Sequence, residues 1–175
     1  MSPFRDQGPL QNIPGVTDHA LLRLGHVYAS LTQWDQSRQS MEILLQRFPQ
    51  SPWVHDARYG IGWAWQNQKQ HDNAVNTYKQ VTGGTAAEVA AKAQLQIGLC
   101  RLEQKRHQEA ANALLVVPFT YDYPDLSALA LCEASRCFVE LKQPDQAAKL
   151  LEKVVKDHPQ SQWAQVAKLR LAEIR

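Results

Sequence analysis

The chain has 175 residues, of which 44% are hydrophobic and 21% are charged, as in a soluble protein with one globular domain or one short repeat array. Lys and Arg number 19 against 17 Asp and Glu, and the two signs are interspersed, which argues against a nucleic-acid-binding surface. No apolar run approaches the roughly 18 residues of a membrane-spanning helix.

Residues 1–17 form a predicted Pro/Gly-rich arm without the apolar core of a signal peptide. The compartment stays open: cytoplasmic or, if the chain is cut from a longer exported protein, periplasmic or in the cell envelope. Phe4, Leu10 and Ile13 lie where a repeat array would carry a polar cap, so we expect the array to continue upstream in a longer protein.

Nine helices are predicted after the arm from apolar periodicity and helix-end signals. Ser51 and Ser161 are predicted to cap helices, and Thr85 with Glu88 has the spacing of a capping box. The predicted helices span residues 18–31, 34–48, 52–68, 71–82, 85–104, 107–117, 125–141, 144–158 and 161–174.

The helices repeat in pairs, an A helix followed by a B helix, with a period of 36–37 residues. A small residue lets a neighbouring helix approach closely, and a bulky residue fills the gap that remains, so each pair is expected to form a hairpin. The A helices carry the small residues Gly25, Gly62, Gly98 and Ser135. The B helices carry small residues twelve positions later, Ser37, Ala74, Ala110 and Ala147, and bulky residues sixteen positions later, Met41, Tyr78, Leu114 and Leu151.

This pattern, with Pro49 and Pro159 at the end of two units, resembles the tetratricopeptide repeat. The resemblance implies an all-α fold, a right-handed α-α superhelical solenoid of helical hairpins. It implies four repeats, at about 18–51, 52–84, 85–124 and 125–159, and a C-terminal capping helix at 160–175. The long period and the two proline connections resemble those of bacterial cell-envelope members. Ala86 and Asp122 replace proline in the other two repeats, whose turns are expected to close differently.

The resemblance also implies a concave groove lined by the A helices, with ligand contacts three residues before and one residue after each small residue. The co-chaperone carboxylate clamp would need Lys, Asn or Arg repeated at these positions, and this repetition is absent, which disfavours chaperone C-terminal tails as ligands. The groove residues predicted in this way are Leu22, His26, Tyr59, Trp63, Leu95, Leu99, Cys132 and Arg136.

Tyr59 and Trp63 share a helix face and form either an aromatic platform for a peptide or a packing contact between adjacent A helices. Gln66 and Asn67, one turn further on, would add hydrogen-bonding groups to the groove, as would Gln96 and Arg136. The favoured interpretation for most of these four residues is solvated surface.

The connection 118–124 carries Phe119, Tyr121 and Tyr123 where solvated turn residues are usual. The favoured interpretation is that these rings fold over the edge of repeats three and four. The alternative is a second, exposed docking patch.

No motif for catalysis or for a cofactor is found. His19 and His26 share a helix face, but no third metal ligand is spaced near them. Gly83-Gly84-Thr85 is read as a turn, and the three cysteines as small core residues, with Cys132 lacking a base partner.

The sequence thus predicts a non-enzymatic scaffold for protein–protein interaction that binds a peptide or partner protein, of unknown identity, in the concave groove. No cofactor, metal, nucleic acid or direct membrane insertion is predicted. The alternative is a structural spacer in a larger cell-envelope assembly.

Overall fold

The computed structural model describes residues 12–174, and these residues fold into nine α-helices without a strand. Phe4 and Leu10 of the predicted arm lie outside the described residues, whereas Ile13 is exposed. The helices are α1 (Thr17–Ser30), α2 (Trp34–Arg47), α3 (Val54–Asn67), α4 (His71–Thr82), α5 (Glu88–Glu103), α6 (His107–Thr120), α7 (Pro124–Glu140), α8 (Pro144–Asp157) and α9 (Gln162–Ile174).

The chain divides after Thr85 into two compact units. Unit 1 contains the hairpins α1–α2 and α3–α4, and the A helices α1 and α3 are also in contact. Unit 2 contains the hairpins α5–α6 and α7–α8, and α9 packs on both helices of the second hairpin. The predicted helical pairs are therefore confirmed within each unit.

The predicted small-to-bulky contact occurs inside three of the hairpins. A Cβ atom added to Gly62 would lie 2.6 Å from Cε1 of Tyr78, and one added to Gly98 would lie 2.5 Å from Cγ of Leu114. At Gly25 an added Cβ would meet the Met41 side chain at 2.8 Å. These distances leave no room for a methyl group, so the small residues bring the A and B helices close together.

The four turns from an A helix to its B helix share one backbone conformation. In the second hairpin, the Lys69 N–H donates to the carbonyl of Gln66 and the Gln70 N–H donates to that of Trp65, both at 2.9 Å, which is a Schellman motif. The residue with positive φ in this motif is usually glycine, but here no turn uses one. The four residues are Thr32, Lys69, Lys105 and Lys142, with φ between 57° and 62°.

Several predicted helix ends need correction. Helix α5 begins at Glu88 after Ala87, whose side chain cannot cap, so the predicted capping box is wrong. Helix α6 continues through Pro118 to Thr120, and the Tyr121 N–H still donates to the Val117 carbonyl at 3.0 Å. Helix α3 begins at Val54, yet the Ser51 hydroxyl still accepts the Trp53 N–H at 3.2 Å, and Ser161 accepts the Trp163 N–H at the same distance.

Candidate functional site

Three of the four A helices of the hairpins expose the residue that follows the small position. His26, Trp63 and Arg136 are exposed, and Leu99 is half-buried against the core of unit 2. Such a residue lies about 100° around the helix from the small residue, so it points away from the hairpin contact. These side chains form what we call the A-helix face of each unit.

The positions three residues before the small residues are mostly buried. This finding corrects the set of groove residues predicted from the sequence. Leu22 and Leu95 are each only 4% exposed and belong to the cores of units 1 and 2, and Cys132 is fully buried. A residue three positions earlier lies only about 60° around the helix from the small residue, and therefore points between packed helices. Leu22 and Leu95 do not contribute to the A-helix face.

Tyr59 and Gln66 are held by one core residue, Tyr78 of α4. The rings of Tyr59 and Tyr78 are tilted, with centroids 5.5 Å apart, and Tyr59 is half-buried. The buried Tyr78 hydroxyl donates to Oε1 of Gln66 at 3.0 Å. Gln66 is itself buried, so its amide oxygen serves the core of unit 1 and not a solvated groove.

The A-helix face of unit 1 is therefore formed mainly by His26, Trp63 and Asn67. Trp63 is 38% exposed, and the Asn67 amide donates to the Trp63 carbonyl oxygen at 2.8 Å. Desolvation lowers the pKa of His26, and the charge of Arg23 lowers it further, while Asp56 opposes both. This face is aromatic and carries a titratable side chain.

In unit 2 the A-helix face contains a cleft of about 450 Å³ between α7 and α9. Among the lining residues, Arg136 is predicted from the sequence and the others are not. The 37-residue spacing from Arg136 to Glu173 could have indicated that α9 supplies an opposite wall. The residues that line this α7–α9 cleft are Ser135, Arg136, Val139, Glu140, Arg170, Glu173 and Ile174.

One buried carboxylate, Glu133, joins the two arginines of the cleft. Glu133 is 6% exposed and accepts from Nη1 of Arg136 at 2.5 Å and from both Nη atoms of Arg170 at 3.4 Å. Arg170 also donates to the carbonyl of Cys132 at 2.9 Å. A buried carboxylate needs such partners, so this cluster positions both guanidinium groups and joins α9 to α7.

Within the aromatic connection 118–124, Phe119 departs from the favoured interpretation. Phe119 lies in the last turn of α6 and is 79% exposed, so it does not seal the edge of the core. Tyr121 and Tyr123 are half-buried, and burial raises the pKa of the Tyr121 hydroxyl. A docking role for these three residues remains a prediction.

The cysteines and histidines do not form a reactive cluster in the described structure. Burial raises the pKa of the Cys132 and Cys137 thiols to about 11, which leaves almost no thiolate at neutral pH. His19 stacks on Trp53 with ring centroids 5.0 Å apart. Among residues 12–174, no three His, Cys, Asp or Glu side chains are arranged to hold a metal ion. Over the same span, no helix has the length and apolar character needed to cross a membrane.

Comparison with known proteins identifies a family. The family model described as "Tetratricopeptide repeat" matches residues 19–51, 56–82, 92–117 and 130–161, more than half of the chain. No curated protein sequence matches the chain significantly.

Solved structures share the fold at low sequence identity. A tetratricopeptide repeat protein from Parabacteroides merdae superposes with a TM-score of 0.73 at 14% identity, over 90% of this chain and 60% of that protein. PilF of Pseudomonas aeruginosa gives 0.71 at 21% identity, over 90% and 67% of the two chains. YrrB, described as a repeat protein with an unusual peptide-binding site, gives 0.65 at 19%, over 86% and 74%. These similarities confirm the predicted fold class.

Proposed function

We propose a function from the premise that the chain belongs to the tetratricopeptide repeat family, whose members are protein-interaction scaffolds. The chain binds a peptide or an extended segment of a partner protein along its A-helix faces. It does so without catalysing a reaction. The observation that carries this proposal is the α7–α9 cleft. It is open to solvent, it is lined by two helices, and it combines apolar with charged side chains.

Two further observations support the proposal. Trp63 exposes part of its ring on unit 1, and large aromatic side chains are over-represented among the residues that dominate binding energy. YrrB, a protein of the same fold, is described as having a peptide-binding site. Repeat arrays of this kind present extended surfaces suited to segments of other chains.

The test is selection of binders from a phage-displayed library of random peptides, using the full chain as bait. We expect peptides to be enriched and to bind in solution. The variant Val139→Asp places a charge on an apolar wall of the cleft and should weaken binding about tenfold or more.

Val116→Asp is the matched control, because Val116 on α6 is about as exposed as Val139, at 39% against 42%, and receives the same substitution outside the cleft. Trp63→Ala separately tests unit 1. If no peptide is enriched, or if binders are insensitive to both Val139→Asp and Trp63→Ala, the A-helix faces are not the binding surface.

A further inference from the structure

We propose that the α7–α9 cleft selects peptide segments in which an aliphatic side chain lies next to lysine or arginine. This inference rests on the proposed function, because it specifies the ligand chemistry of one A-helix face. It follows from which charges of the cleft are already paired and which are not.

The apolar part of the cleft comes from both helices. Val139 of α7 is exposed, and Ile174 of α9 is half-buried beside the core of unit 2. Both side chains line the same cleft, whose volume of about 450 Å³ accommodates a few residues of an extended chain, not a folded domain. An aliphatic side chain of a ligand would bury apolar surface against these two residues.

The cations of the cleft are already committed to partners within unit 2. Arg136 and Arg170 share the carboxylate of Glu133, and Arg170 also donates to a backbone carbonyl. An acidic ligand would have to share these guanidinium groups with a buried carboxylate that already neutralises part of their charge. Removing a partner from such a carboxylate is costly, so these arginines are poor anchors for an acidic peptide.

The exposed carboxylates of the cleft, in contrast, form no ion pair within the part of the chain that the structure describes. Glu140 of α7 and Glu173 of α9 are both exposed, and within residues 12–174 neither lies within 4.0 Å of a cationic side chain. Because the two arginines share Glu133, one positive charge remains against two carboxylates. The cleft therefore complements a basic ligand, and unlike charges across an interface favour one partner over its charge-reversed counterpart.

The experiment compares two fluorescein-labelled peptides by fluorescence polarisation with the full chain. In the first peptide, leucine residues alternate with lysine and glycine; in the second, glutamate replaces every lysine. We expect the lysine peptide to bind about tenfold more tightly or better, and added salt to reduce this preference.

Charge reversal on the protein is the decisive variant. Glu140→Lys combined with Glu173→Lys should abolish the preference for the lysine peptide or invert it. Glu42→Lys, on the exposed side of α2 and outside the cleft lining, adds a positive charge elsewhere and should leave the preference unchanged. Circular dichroism should show that all variants keep the helical signal, since the substituted side chains are exposed.

Two results would overturn the inference. If both peptides bind equally, or the glutamate peptide binds better, the cleft does not select basic segments, although peptide binding itself stands. If neither peptide binds while selected library peptides do, the protein recognises ligands of another chemistry and the inference is wrong. Failure of the library selection, in contrast, contradicts the proposed function.

Discussion

The A-helix faces of the two units use equivalent repeat positions in different ways. In the second hairpin of unit 1, the bulky residue of the B helix is Tyr78, which reaches far enough to hold both Tyr59 and Gln66. In unit 2 the bulky residues of the B helices are leucines, Leu114 and Leu151, which have no polar group to offer. The comparison teaches that a core residue with a polar end can hold a polar A-helix side chain such as Gln66 in the core, which an aliphatic core residue cannot do.

The largest expected effect comes from removing the residue that distinguishes unit 1. Tyr78→Ala deletes a fully buried ring that packs under Gly62 and Tyr59, so the free energy of unfolding should fall by about 3–5 kcal/mol. Chemical denaturation followed by circular dichroism measures this change. Trp63→Ala removes a partly exposed ring from the same face and should cost about 1 kcal/mol or less. Equal losses in the two variants would contradict the assignment of Tyr78 to the core.

The second effect concerns the charged cluster of unit 2. Glu133→Gln removes the carboxylate that Arg136 and Arg170 share, and we expect a loss of about 2 kcal/mol in unfolding free energy because Glu133 is buried but both arginines are partly exposed. Glu140→Gln, an exposed carboxylate on the same helix, serves as the control and should be nearly neutral. A neutral Glu133→Gln would show that the cluster does not join α9 to α7.

The third effect is an increase in stability, and it concerns the turn from an A helix to its B helix, which has the same conformation in both units. Lys105 has a φ of 59°, a conformation that costs a residue with a side chain more than it costs glycine. Lys105→Gly should therefore raise the unfolding free energy by about 0.5–1 kcal/mol. Lys149→Gly, at an exposed position inside α8, should lower it by about 1 kcal/mol. Thermal melting of the two variants should give midpoints that move in opposite directions.

The smallest expected effect is the pH response of the unit 1 face. Because the folded-state pKa of His26 lies below its ordinary value of about 6.5, the unfolded chain binds the proton first on acidification. The contribution of His26 to stability is complete above about pH 6.5 and is lost as the pH falls below that value toward the folded-state pKa. The melting temperature of His26→Gln minus that of the parent should therefore be larger at pH 5.5 than at pH 7.5. A difference that grows with rising pH would contradict the sign.

Much of the fold could be predicted from the sequence because its signals are local. The recurrence of Gly25, Gly62 and Gly98, each followed sixteen residues later by a bulky side chain, was enough to predict the helical hairpins, and the contacts of Met41, Tyr78 and Leu114 confirm them. Helix ends were harder to predict. The extension of α6 through Pro118 is one such end, because tertiary packing outweighs the weak propensities of single residues.

The candidate site could be predicted only in part. His26, Trp63 and Arg136 are exposed as expected, whereas Leu22 and Leu95 are core residues, because their depth depends on which helices pack beside them. The hydrogen bond from Tyr78 to Gln66 likewise joins the two helices of a hairpin, and the spacing of residues in the sequence does not reveal it.

By itself, the sequence determined the helices, their pairing and the family, because helical periodicity and close small-to-bulky contacts are encoded by residues near one another in the chain. Only the tertiary structure decided that α9 packs on α7, that Glu133 is buried between Arg136 and Arg170, and that Glu140 and Glu173 form no ion pair with the other described residues. The physical reason is that burial and charge pairing depend on residues as many as 37 positions apart, whose separation in space is set by how the helices pack.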